Sequence, residues 1–165
     1  MELLGGLTSF DKVRGAIGAT HNEVTDSMLF GAQLEAPLRL AVSDALGSAI
    51  TYTTVIAEGT STAADQTQAQ RLQMLQHYAT YFCSALVVKN LQLAIPELIS
   101  DGKTQMRRFS DVDFDALAAS HQAQASSAKA WLSVNVAQQA AAPVGLRALS
   151  VSKPDYDPTT AFGEG

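Results

Sequence analysis

Hydrophobic positions recur at helical spacing along most of this chain, and the longest such run organises the rest. From Asp65 to about Leu93, the residues Leu72, Leu75, Ala79, Phe82 and Leu86 repeat at three, four, three and four. That spacing puts them on one side of a helix roughly 40 Å long. Tyr78, Tyr81 and Cys83 widen the stripe. The seam is expected to be domain core; the alternative is a coiled coil with another chain, against which the pattern lasts little more than two heptads. A second run, Phe114, Leu117, His121, Ala125, Ala128 and Leu132 with Trp131 at its edge, predicts another long amphipathic helix reaching about Gln139. Ser110 or Asp111 is its expected cap, and Asp111, Asp113 and Asp115 suit its positive N-terminus. Two such helices with a short connection pair antiparallel.

Pro96 closes the first long helix, and Asp101-Gly102 is a tight-turn signal. Loose alternation on either side predicts a short β-hairpin or an extended loop near 99–109. Upstream, Phe10, Val13, Ala16 and Ile17 make one face of a helix of about ten residues, capped by Thr8 or Ser9 and ending near Gly18. Met1–Leu7 reads as an arm or a short extended piece. Thr20-His21-Asn22-Glu23 matches a capping box, with Asp26 as a rival cap for a helix from Ser27. Pro37 is expected to kink a helix or restart one. Ser48–Ala57 fits a strand and a helix end equally well. Glu58–Ala64 reads as a flexible connector. Pro143, Pro154 and Pro158 forbid a long regular element near the end; the segment reads as a disordered tail or, given the spaced apolar anchors Leu146, Leu149, Val151, Tyr156 and Phe162, as an extended arm that docks on a partner. The expected fold is mainly α: a small helical bundle with two long antiparallel helices over residues 1–142, and an extended C-terminal arm over 143–165.

Composition adds one unusual feature. Only 16% of residues are charged, against about a quarter in an ordinary domain, which hints at surface buried against partners. The net charge of −5 is spread unevenly, −4 over residues 1–62 and +2 over 63–110. With no basic face, a general grip on nucleic acid phosphates is not expected. The single cysteine, Cys83, excludes an internal disulfide and reads as a buried small apolar residue. No basic start followed by a long apolar run suggests a signal peptide, and no segment is apolar enough to span a membrane, so a reducing, intracellular setting is expected.

Candidate chemistry is sparse. His21, His77 and His121 have no partner at metal-ligand spacing. His77 and His121 fall on facing long helices and either meet in the core or sit at a helix edge with an ordinary hydrogen bond. The glycines form no phosphate loop, and no GxSxG occurs. No catalytic, cofactor-binding or metal residue is therefore assigned, and the chain is not expected to be an enzyme. Lys103, Arg107 and Arg108 form the densest basic cluster. It reads as a solvated loop tip, or as a contact with an acidic protein or with DNA phosphate; three bases give only weak, salt-sensitive phosphate binding.

Two stretches resemble the head–tail connector (adaptor) proteins of tailed bacteriophages. Phe10–Gly18 followed by Glu23–Leu29 is similar to their opening helix, short turn and second helix. Arg71–Leu132 is similar to their long helix, Pro96-Glu97 end, Asp101-Gly102 turn, Arg107-Arg108-Phe109 and Val112-Asp113-Phe114 start of a final helix. Together these cover about half of the chain. The resemblance implies a structural virion protein made in the host cytoplasm. It would form a ring, usually of twelve copies, at the head–tail junction, bound to the portal protein on one side and to a tail or stopper protein on the other. DNA would pass through the ring without specific binding. Lys103, Arg107, Arg108, Leu146, Leu149, Tyr156 and Phe162 are the candidate partner contacts. The alternative is a helical regulator or chaperone that binds a partner through the 72–86 seam.

Overall fold

The computed structural model describes residues 1–22, 24–31, 33–94, 98–100, 105–107 and 113–141. Within them the chain is mainly helical. The first strands, β1 (Glu2–Leu3) and β2 (Thr8–Ser9), pair antiparallel, Glu2 opposite Ser9 and Leu3 opposite Thr8. Leu4, Gly5 and Gly6 turn the chain between them, all with positive φ. This extended piece is no free arm: Leu3, Leu4 and Leu7 are buried in the core.

Helix α1 (Phe10–Ile17) follows directly. The Ser9 hydroxyl accepts the Lys12 N–H at 3.3 Å, the role expected of Thr8 or Ser9. Gly18, at φ 70°, ends the helix in the left-handed region that suits glycine. Helix α2 (Asp26–Gly31) begins one residue before the expected Ser27. Asp26 is its first residue rather than its cap, because its carboxylate is engaged by Arg14. Glu23 of the proposed capping box lies outside the described residues.

Helix α3 (Glu35–Leu46) carries Pro37 in its first turn. The proline restarts the helix there and does not kink it, since a first-turn residue has no intrahelical N–H bond to lose. The ambiguous Ser48–Ala57 stretch resolves as helix α4 (Tyr52–Thr60), capped by the Thr51 hydroxyl. The helix runs on through Glu58 and Gly59, so the connector between α4 and the next helix is shorter than expected.

Helix α5 (Gln66–Ala94) is the long scaffold. It opens on a reciprocal cap: Asp65 Oδ1 accepts the Gln68 N–H at 2.8 Å, and Gln68 Oε1 accepts the Asp65 N–H at 3.0 Å. Two short strands, β3 (Leu98–Ser100) and β4 (Gln105–Arg107), pair antiparallel, with Ile99 opposite Met106. The hairpin expected near 99–109 is therefore present. Helix α6 (Phe114–Ala141) then returns along α5. Its cap is Asp113, whose Oδ1 accepts the Ala116 N–H at 2.9 Å, and not Ser110 or Asp111.

The core forms where α1, α3, α4 and α6 close on α5. Leu75, Ala79 and Cys83 of α5 are fully buried, as are Leu38, Val42 and Leu132 from the facing helices. Each large aliphatic side chain buried this way contributes on the order of 1.5–3 kcal/mol. The seam is thus domain core, but it is not the straight 72–86 stripe. Phe82 and Leu86 are half-buried, while Tyr78, Val87, Val88 and Leu91 are buried. A straight helix drifts against a seven-residue repeat, and neighbours on more than one side bury more than one stripe.

Candidate interaction surface

Among the described residues, Arg14, Arg71 and His121 are titratable side chains buried in the bundle, each at a junction between elements. Arg14 of α1 is 4% exposed. Its Nε donates to the Val24 carbonyl at 2.7 Å and its Nη1 to Asp11 Oδ1 at 2.8 Å, while Nη2 donates to Asp26 Oδ1. One guanidinium fork thereby fixes α1, the turn after it and the start of α2. The Arg14 hydrogen bond and charge hold the Asp26 carboxyl below its usual range. Arg71 of α5 is 3% exposed, and its Nη1 lies 3.5 Å from Glu58 Oε2 of α4. The two charges face one another, but neither Arg71 Nε nor Nη1 makes a hydrogen bond.

His121 of α6 is the third. It is buried, so it does not sit at a helix edge, and its Nδ1 has no hydrogen-bond partner. Its ring packs edge-to-face against Tyr81, with centroids 5.4 Å apart, and Tyr81 also packs on His77 at 4.5 Å. The two histidines of the facing helices therefore meet through a tyrosine and not directly. Sequence spacing placed His77 and His121 on facing helices; Arg14, four after Phe10 and three before Ile17, and Arg71, four before Leu75, border the apolar stripes, but their charge reads as surface.

Smaller ties complete the assembly. Thr8 and Thr80 hydroxyls lie 2.8 Å apart and join β2 to α5. The Tyr78 hydroxyl donates to the Ala41 carbonyl at 3.2 Å, and burial pushes its pKa up. Lys129 and Asp44 pair at 2.5 Å on the surface between α6 and α3. Cys83 is buried as expected, and burial alone pushes its thiol up to about 12.

The outward surfaces are less conventional. The outward positions of α6 from Ala116 to Val134 carry one charge, Lys129, which is paired with Asp44; the rest are alanine, serine, glutamine and, at Val134, an apolar side chain 55% exposed. Leu40 of α3 is 74% exposed. A solvated helix face ordinarily carries charged residues. A cavity of about 290 Å³ opens between the N-terminal strands and the α2–α3 junction, lined by Met1, Leu3, Phe10, Leu29, Gln33, Leu34, Glu35 and Ala36.

Of the expected contact residues, Arg107 ends β4. Lys103, Arg108, Leu146, Leu149, Tyr156 and Phe162 lie outside the described residues. Among the described residues there is no group of three or more His, Cys, Asp or Glu placed to hold a metal ion, and no helix is long and apolar enough to cross a membrane. Compared with protein-family models, with curated proteins and with solved structures, the chain matches none of them.

Proposed function

We propose that this chain is the repeating subunit of a ring that joins the portal of a tailed-phage head to its tail and extends the DNA channel between them. The role is structural and not catalytic. The observation that carries this reading is the charge-poor outer face of α6, where Lys129 is the one charge between Ala116 and Val134, set on a helical hairpin whose connection carries the β3–β4 pair. A helix face about 28 Å long with a single, paired charge suits burial against a neighbouring subunit better than exposure to water. The resemblance of Phe10–Leu29 and Arg71–Leu132 to connector proteins supplies the identity of the assembly. The regulator alternative relied on the 72–86 seam as a binding face, and Leu72, Leu75 and Ala79 of that seam are already buried within the chain. That weighs for the connector.

The test uses purified portal. The protein should bind it and form a ring of about twelve copies, read by mass photometry and electron microscopy, and heads lacking the protein should fail to join tails. Portal that recruits none of it, together with normal joining in its absence, defeats the proposal.

A further inference from the structure

We infer that His121 is an acid-sensitive catch in the α5–α6 seam: its neutral ring closes the seam, and a proton taken up there opens it. The ring lies two turns into α6, 4% exposed, between the small buried residues Ala118 and Ala125. Its Nδ1 is buried with no acceptor. An imidazolium has donors on both nitrogens, so protonation would leave a buried N–H unpaired beside a buried charge.

No described group is placed to receive that charge. From α5, His121 meets Tyr81, with His77 behind it. From α3, the other helix against α6, Asp44 is held by Lys129 and Glu35 by Arg39. Lys89 of α5 and Asp115 of α6 are exposed. An unpaired buried cation is costly, and burial accordingly lowers the pKa of His121.

The sign follows from linkage. The unfolded chain takes up this proton at about pH 6.5 and the folded chain only below that. The stability that the neutral ring contributes is complete above about pH 6.5. It is lost as pH falls from there toward the folded pKa, at up to one proton, or about tenfold in the unfolding constant, per pH unit. The Asp26 carboxylate titrates lower still, which separates the two effects. Because the first turns of α6 follow the β3–β4 pair in the chain, opening the seam there would free the end of the bundle that presents the hairpin.

The experiment is urea unfolding of the full chain between pH 7.5 and 5.5, for wild type, His121→Gln and His77→Gln. Wild type and His77→Gln should show an unfolding constant that rises by up to about fivefold between pH 6.5 and 5.5, and His121→Gln should lose that rise. A His121→Gln protein that keeps the slope, or a slope that disappears with His77→Gln, overturns the inference. If His121→Gln does not fold, NMR titration of the wild-type ring decides: neutral in the folded protein at pH 6 supports it, protonated at that pH overturns it. None of these outcomes bears on portal binding, so the proposed function stands or falls separately.

Discussion

Gly59 of α4 lies against Leu72 of α5 so closely that a β-carbon at position 59 would stand 2.5 Å from the Leu72 Cβ. The missing side chain is what lets the two helices approach. Gly15 on α1 is the contrasting case, helical and with nothing within 4 Å of its absent β-carbon. Gly59→Ala is therefore expected to destabilise by about 1–3 kcal/mol through overpacking, despite its better helix propensity. Gly15→Ala is expected to stabilise by about 0.5–1 kcal/mol. Thermal melts of the two variants should shift in opposite directions; two shifts of the same sign would contradict the close approach.

Arg14 joins three segments with one planar fork, which a point charge does not reproduce. Arg14→Ala should cost about 2–4 kcal/mol, and Arg14→Lys should recover only a minor part of it. Urea midpoints with an unchanged m-value measure both. A full recovery by lysine would mean that charge alone, and not the fork, holds α1 to α2.

Asp26 gives an acid-side signature. Its folded pKa is lowered, chiefly by the hydrogen bond from Arg14. Its contribution is present above the unfolded value of about 3.9 and lost as pH falls through the folded one. Asp26→Asn should reduce the pH dependence of stability below about pH 4 and leave the slope between pH 6.5 and 5.5 in place. An unchanged acid limb would remove Asp26 from the account.

Cys83 is fully buried with its thiol pushed up to about 12. At pH 8 it should resist an aromatic disulfide reagent in the folded chain and react at once in denaturant. The native reaction should follow the rate of opening; rapid labelling without denaturant would contradict the burial.

The surface pair Lys129–Asp44 is exposed on both sides, with side chains 43% and 71% accessible. Asp44→Ala should change stability by less than about 1 kcal/mol, and 0.5 M salt should erase the difference. A larger, salt-independent loss would show that Asp44 does more than pair with Lys129.

Much of the architecture was legible because it rests on periodicity and local chemistry. The two long helices, the β3–β4 pairing, the Ser9 and Asp65 helix starts and the burial of Cys83 all follow from spacing, caps and turns. What was not legible depends on packing between distant segments. Composition did not distinguish a strand from a helix end over Ser48–Ala57; the Thr51 cap and the close approach of Gly59 to Leu72 of α5 go with the helix. Met1–Leu7 read as an arm or a short extended piece because its leucines have no period; the extended reading matches β1, and the core supplies the leucines' partners. Arg14 and Arg71 were missed as buried groups for the same reason: a charged residue is read as surface until its neighbours are known, whereas His121 stood on the expected apolar face, with burial one of its two readings. The basic cluster was legible as a cluster, but only Arg107 of it falls within the described residues.

The Thr8–Thr80 contact has a consequence for how the chain is made. The segment that carries Leu3, Leu4 and Leu7 meets α5 through a partner 72 residues after Thr8, so during synthesis that contact waits until the middle of α5 has left the ribosome. At typical elongation rates that interval is roughly 4–14 s. The nascent N-terminal third is thus a natural client for a chaperone, and its folding waits on the helix that ends up at the centre.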